Sequence, residues 1–243
     1  LRAQLMAIGN PDLGWSKTMQ KSVSLEFGLW NGLLTGNFDY FYESRTDILT
    51  QYLTRPQWVG VVMAAGNLGK TKNQGVELEL KHNNRIGKDF YYNVGFTFSH
   101  ARNEILDMDE PDAKTGYRKQ EGHPINQYFG LICDGFVTQA DLDNPNFPKS
   151  TYGNVQVGDL KYRDMNGDGF IDDRDETFIG YSDIPENTYA LTLGAQWKGI
   201  GFSVMFQGVD HVSRFYDAEA MFAFVNGGKV KEHHLGRWNP AMS

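Results

Sequence analysis

The chain has 243 residues, with 23 Lys and Arg against 30 Asp and Glu, and a formal net charge of −7. That balance argues against a nucleic-acid surface, which needs a basic stripe. Aromatics at 14%, 27 Gly and only 8 Pro describe an ordered, strand-rich chain rather than a disordered one. The single cysteine, Cys133, excludes an internal disulfide framework and a multi-cysteine zinc site; set in "GLICDGF", it reads as a small buried hydrophobe. No run approaches the roughly 18 apolar residues of a membrane helix, which leaves closed barrels as a way across a bilayer. The opening "LRAQLMAIGNPDLGW" has no apolar signal-peptide core, so the protein is either not exported or begins upstream of Leu1.

In chain order, the dominant periodicity is two. Val23, Leu25, Phe27 and Leu29 share one face opposite Ser24, Glu26 and Gly28. Leu34, Phe38, Tyr40 and Tyr42 align against Thr35, Asn37, Asp39 and Glu43. Val76, Leu78 and Leu80 oppose Glu77, Glu79 and Lys81; Tyr92, Val94, Phe96 and Phe98 oppose Asn93, Thr97 and Ser99. Late in the chain Tyr189, Leu191, Leu193, Ala195 and Trp197 alternate with Thr192, Gly194 and Gln196, and Phe202, Val204 and Phe206 repeat the pattern. Successive strand side chains point to opposite faces, so each segment has an apolar and a polar side.

Short punctuation joins these segments in pairs. Asn31-Gly32 is a two-residue hairpin signal, "RIGKD" joins the second pair and "WKGIGF" the third, and the apolar phase survives each turn. The links between pairs are long, the second running from about residue 104 to 187. Loops in compact soluble domains have a median of about 4–6 residues. Alternating tight turns and long links, with strands near the ~9–11 residues of a tilted spanning strand, favour a transmembrane barrel. Strands of a soluble sandwich alternate in the same way, so periodicity alone leaves both open. If all short turns lie on one side, the 104–187 link holds no spanning strands or an even number. Within it "HPINQYFGLICDGFV" is either a spanning strand or part of an extracellular hairpin, giving six clear strands, or eight.

Several stretches together resemble the SusC/RagA family of TonB-dependent outer-membrane transporters of Bacteroidetes. They are "GNPDLGWSKTMQKSVSLEFGL", "GNFDYFYESRTDIL", "GNLGKTKNQGVELEL", "EGHPINQYFGLICDGFV" and "VGDLKYRDMNGDGFIDDRDETFIG", continuing from "FQGV" to "RWNP". The resemblance implies an all-β fold over residues 1–243: an antiparallel transmembrane β-barrel segment, part of a 22-stranded wall. It also implies import of oligosaccharides or peptides across the outer membrane. A SusD-like lipoprotein would cover the mouth, and TonB would act through a plug that this chain does not contain. On this reading the chain is a fragment, and not an enzyme.

Within the last long link, "DMNGDGFIDDRD" places oxygen-bearing residues in a calcium-loop register. Asp164, Asn166 and Asp168 would offer side-chain oxygens, Phe170 its carbonyl, Asp172 a water-mediated contact and Asp175 the twelfth position. An equally open reading is a solvated Asn/Asp/Gly turn that needs no metal. "GDLKYR" and "TFIGYSD" read as extended flanks, which excludes a helix–loop–helix calcium sensor.

No GxSxG, HExxH, P-loop or dinucleotide fingerprint occurs. His233-His234 reads as a solvated loop, and Glu77 and Glu79 as polar-face residues rather than glycosidase acids. Tyr52, Trp58, Tyr117, Tyr128, Phe129 and Trp238 lie in or beside the long links; Trp58, Tyr117, Tyr128, Phe129 and Trp238 are the candidate substrate-stacking residues. Trp30, Tyr40, Tyr42 and Trp197 suit an interfacial girdle. The competing class is a soluble secreted calcium-stabilised β-rich binding module, an adhesin or carbohydrate binder.

Overall fold

The computed structural model describes residues 7–51, 62–63, 65–111 and 116–236. Two compact units divide the chain: Leu1–Gln127 with Tyr181–Val212, and Tyr128–Gly180 with Ser213–Ser243.

The first unit is built on six long antiparallel strands: β1 (Lys17–Leu29), β2 (Leu34–Thr50), β3 (Gly66–Ile86), β4 (Phe90–Asp107), β5 (Asn187–Trp197) and β6 (Ile200–Asp210). Their order across the sheet is β6–β5–β4–β3–β2–β1, so chain neighbours are sheet neighbours and both edges stay open. Each short turn does what its residues dictate. Asn31 and Gly32 take positive φ of 56° and 84°, and the Leu33 amide donates to the Trp30 carbonyl at 3.3 Å, the mirror-image turn that matches strand twist. Lys198 and Gly199 repeat this between Trp197 and Ile200.

Register converts the alternation of each strand into rows that cross the whole sheet. One apolar row runs Leu25–Phe38–Leu78–Phe98–Tyr189–Gly208, and the next runs Phe27–Gly36–Leu80–Phe96–Leu191–Phe206. Between them, on the other face, lies Glu26–Asn37–Glu79–Thr97–Ala190–Gln207. Among the described residues no second layer covers the apolar face within this unit: Val23 is 70% exposed and Phe202 67%, and neither Leu78, Phe96 nor Leu193 is buried.

The apolar band has ends. Towards the short turns it reaches the row Ile86–Phe90–Trp197–Ile200; towards the long links it reaches Val23–Tyr40–Val76–His100. Val76 and Ile86 are ten residues apart on one strand, roughly 34 Å, which a ~40° tilt reduces to about 26 Å. That height equals the ~25 Å apolar band of an outer-membrane wall. Six strands spaced ~4.8 Å apart make the face about 25 Å wide across the strands, on the order of 800 Å² over the ~34 Å strand length, more than a typical soluble monomer exposes in one patch. Beyond Tyr42 the same face turns charged, with Lys72 paired to Glu104 at 2.9 Å.

Aromatic residues mark both borders. Trp30 sits in the first turn, and Trp197 stands opposite Phe90 with the Lys198 ammonium 5.2 Å from the indole ring. The Tyr92 hydroxyl lies 3.0 Å from His82 Nε2 and 3.3 Å from Asn84 Nδ2, an aromatic body in the band with its polar tip anchored.

The stretch "HPINQYFGLICDGFV" contributes no spanning strand, so the sheet has six members rather than eight. It forms two four-residue strands, Gln127–Gly130 paired with Thr177–Ser182, and Cys133–Phe136 paired with Leu160–Tyr162. Four residues reach less than half of a bilayer crossing, and Gly135 at φ 120° ends the alternation. Cys133 is exposed, not buried, because its short strand belongs to a thin loop structure with little interior. The buried apolar residues of the second unit are Val137 and Ile171.

Candidate functional site

The polar face of the sheet carries the candidate binding surface. Asp39 stands between Ser24 and Glu77, and Glu79 between Asn37 and Thr97. Asn37 donates to Asp39 at 2.6 Å, Ser24 donates to the same carboxylate, and Lys81 pairs with Glu79 at 2.5 Å. Glu77 and Glu79 thus belong to a ladder of polar partners running across the strands.

Towards the long links this face is closed by two straps from the same unit. The Ile105 amide donates to the His123 carbonyl at 3.0 Å, Gly122 donates back to Ile105 at 2.8 Å, and Ile125 donates to Asn103 Oδ1 at 2.7 Å. The amides of Gln120 and Glu121 converge on the buried carboxylate of Glu110. On the other side the Ala101 amide donates to Glu186, whose carboxylate lies 3.6 Å from Arg102. Straps and strands enclose a recess of about 370 Å³ lined by Glu43, Arg45, Asn73, Asn103, Ile125 and Glu186, among others. Its size falls in the ~300–1,000 Å³ range of small-molecule sites. Its lining offers opposite charges and amides for hydrogen bonding. Nothing in the sequence pattern marks this recess, because residues 122–125 and 182–186 reach the strands through long-range hydrogen bonds that no local pattern encodes.

Trp58 and Trp238, like Tyr52, lie outside the described residues. Tyr117 belongs to the first unit, in a one-turn 3₁₀ segment. Tyr128 and Phe129 belong to the second. The Tyr128 ring lies 6.1 Å from that of Phe215 and its hydroxyl accepts from the Phe215 amide at 3.3 Å; Phe129 meets Phe178 edge-on at 5.0 Å. Tyr128 and Phe129 hold loop segments together. His233 and His234 occupy an exposed turn, with His234 Nδ1 accepting from Lys231 and Nε2 directed at the Met221 carbonyl.

In the acidic loop the six residues of the calcium register come together as a string of turns. Asp164 accepts from the amides of Gly167 and Gly169, Asn166 from Asp168, and Asp168 from Phe170. Asp175 is fully buried and takes the amides of Met165 and Asp172, both at 2.9 Å. The Arg174 guanidinium spans Asp168 at 2.8 Å and Asp172 at 2.7 Å, and Asp172 first, then Asp168, raises its pKa above the usual arginine range. In this geometry the Arg174 side chain offsets part of the loop's negative charge, across Asp168 and Asp172. Among the described residues no group of three or more His, Cys, Asp or Glu side chains is disposed as a metal cage.

Comparison with known proteins places this architecture. The family described as "TonB dependent receptor-like, beta-barrel" matches residues 3–231. A TonB-dependent receptor of Formosa agariphila is 26% identical over 95% of this chain and 24% of its own length. TonB-dependent receptor SusC of Bacteroides thetaiotaomicron is 25% identical over 80% of the chain and 19% of its own length. The structure of the RagAB peptide importer in its open-open state superposes with a TM-score of 0.63 at 23% identity, over 85% of this chain and 22% of that one. The chain therefore spans about a fifth to a quarter of the length of these relatives. With an open antiparallel wall of the required height and a match over nearly all its residues, the chain belongs to the TonB-dependent receptor β-barrel family.

Proposed function

We propose that this chain forms wall strands and extracellular loops of an outer-membrane importer, carrying oligosaccharides or peptides inward with energy delivered by TonB through a plug. A SusD-like lipoprotein covers the mouth in this reading, and the chain performs transport rather than catalysis. The observation that carries the proposal is the pair of faces on one six-stranded sheet: a naked apolar band about 26 Å tall on one side and a polar ladder on the other. Similarity to SusC, a TonB-dependent receptor, supports the part given to TonB, and the fold shared with the RagAB peptide importer is consistent with import. The recess at the long-link end suits a polar solute entering from outside. A soluble adhesin-like module is not supported by a sheet whose apolar face meets no second layer. The test is fractionation with an epitope tag on the chain. It should sediment with outer membranes, resist urea extraction, and co-purify a lipoprotein after mild detergent. Recovery as a soluble monomer would overturn the proposal.

Calcium at the acidic loop is a further part of this reading. It is supported by the oxygen-bearing order Asp164, Asn166, Asp168, Phe170, Asp172 and Asp175, and it requires Arg174 to leave Asp168 and Asp172.

A further inference from the structure

Unpaired positive charge collects at the short-turn end of the sheet. Elsewhere on the strands Lys17, Lys70, Lys72, Lys81 and Arg102 each have a carboxylate beside them, from Asp47, Asp107, Glu104, Glu79 and Glu186 in turn. The turn between β3 and β4 and the turn between β5 and β6 differ. Arg85, Lys88 and Lys198 are exposed there and form no ion pair among the described residues. They share their surroundings with one carboxylate, Asp89. Three cations against one carboxylate leave a local charge of +2, in a chain whose formal net charge is −7.

The two turns are neighbours because β4 and β5 pair to their ends, with Phe90 opposite Trp197 and Tyr91 opposite Gln196. One backbone bond ties the turns together, the Lys198 amide donating to the Asp89 carbonyl at 3.2 Å. Within the first turn Arg85 Nη2 donates to the Lys88 carbonyl at 2.6 Å, which fixes the guanidinium and leaves Nε and Nη1 for a ligand. Between the turns lies a recess of about 380 Å³, lined by Arg85, Lys88, Phe90, Tyr91, Gln196 and Lys198, among others. Donors dominate that lining: a guanidinium, two ammonium groups and the Gln196 amide.

Charge and position together select the occupant. Clustered donors with net positive charge call for an anion of several oxygens, and a phosphate offers them to guanidinium and ammonium at once. The recess also borders the apolar band: its Phe90 belongs to the row Ile86–Phe90–Trp197–Ile200, in which Ile86, Trp197 and Ile200 are exposed. Lys198 stands on this border too, its ammonium over the Trp197 ring at 5.2 Å. A free anion gains nothing from that row, whereas a molecule with a phosphate head and hydrocarbon tails uses both. We propose that this recess binds the phosphate of an anionic phospholipid between Arg85, Lys88 and Lys198, with the acyl chains laid along Phe90, Trp197 and Ile200. The proposal rests on the membrane reading of the apolar band and adds a selected lipid to it.

The test places the full chain in vesicles of mixed phosphatidylglycerol and phosphatidylcholine, checks that it floats with them, and counts the lipids it retains after mild detergent release by native mass spectrometry. Phosphatidylglycerol should be retained over phosphatidylcholine. Lys88→Gln combined with Lys198→Gln should lower that preference about fivefold for each lysine. Lys70→Gln combined with Lys72→Gln, the same loss of charge at the long-link end, should leave it unchanged. Flotation of both variants shows that they still insert. Equal loss in the two pairs, flotation with no preference for phosphatidylglycerol, or displacement of the retained lipid by millimolar inorganic phosphate would overturn the proposal and leave the membrane reading standing. Failure of the parent chain to float overturns both.

Discussion

The ring of Phe41 lies across Gly75, its direct partner on the neighbouring strand, and fills the space where a side chain would stand. A Cβ built on Gly75 would come within 2.6 Å of Phe41 Cζ and closer still to the His100 carbonyl. The ring can swing aside; the carbonyl, fixed in the ladder, cannot. Gly75→Ala should destabilise the sheet by about 1–3 kcal/mol through overpacking, read as a lower urea midpoint in micelles. Phe41→Ala combined with it should recover little, because the backbone contact remains. Full rescue by the double variant would place the strain on the ring instead.

Charge placed on the two faces should separate them. Leu78→Arg puts a guanidinium at mid-band and is expected to cost about 2–4 kcal/mol in lipid, whereas Glu79→Arg, one residue on, should stay within about 1 kcal/mol. The comparison is urea unfolding of the two variants in the same vesicles. Equal costs would contradict the assignment of faces.

Asp175→Ala strands the part-buried amides of Met165 and Asp172 and should destabilise the acidic loop by about 1–3 kcal/mol, seen as faster amide exchange across residues 164–175. Calorimetric titration tests the metal: calcium should bind more tightly to Arg174→Gln than to the parent chain, because a competing cation is gone. Absence of heat in both would remove calcium from the account.

Acid should act on the second unit at a defined point. In the helix α1 (Gln139–Asp143), the Asp141 carboxyl is held below the usual carboxylate range, first by the Thr138 hydroxyl, then by the Thr138 amide and the Lys161 ammonium. A depressed folded pKa means the cap contributes stability above the ordinary value of 3.8 and loses it as pH falls through the lower folded value. The Thr138 amide resonance should therefore shift only below about pH 3.8, and Asp141→Asn should abolish that shift.

The six wall strands were legible in the sequence because each is amphipathic by itself. Val76, Leu78 and Leu80 announce a strand without knowledge of any neighbour, and Gly87 in "RIGKD" marks where it turns back. Register followed, since a one-residue slip would send every apolar side chain to the polar face. What stayed hidden depends on contacts distant in sequence. Ile105 looks like one more alternating apolar residue, yet it is buried because Gly122 and His123 fold back onto it. Cys133 sits in an apolar run but lies exposed, since four-residue strands enclose almost nothing. The acidic loop announced its oxygens but not that Arg174 would lie across two of them. Nor did the sequence announce that Tyr128 would lie beside Phe215, or that Phe129 would meet Phe178 edge-on.

The central claim is that Val76, Leu78 and Leu80 touch hydrocarbon while Glu77, Glu79 and Lys81 touch water. It is tested most directly by nitroxide scanning of residues 76–81 in bilayers, with Cys133 changed to Ser and each site read for collisions with oxygen and with a polar nickel chelate. The account predicts a strict period of two, with oxygen favoured at 76, 78 and 80 and nickel at 77, 79 and 81. Exclusion of both reagents from Leu78 and its apolar neighbours would mean that protein, not lipid, covers that face.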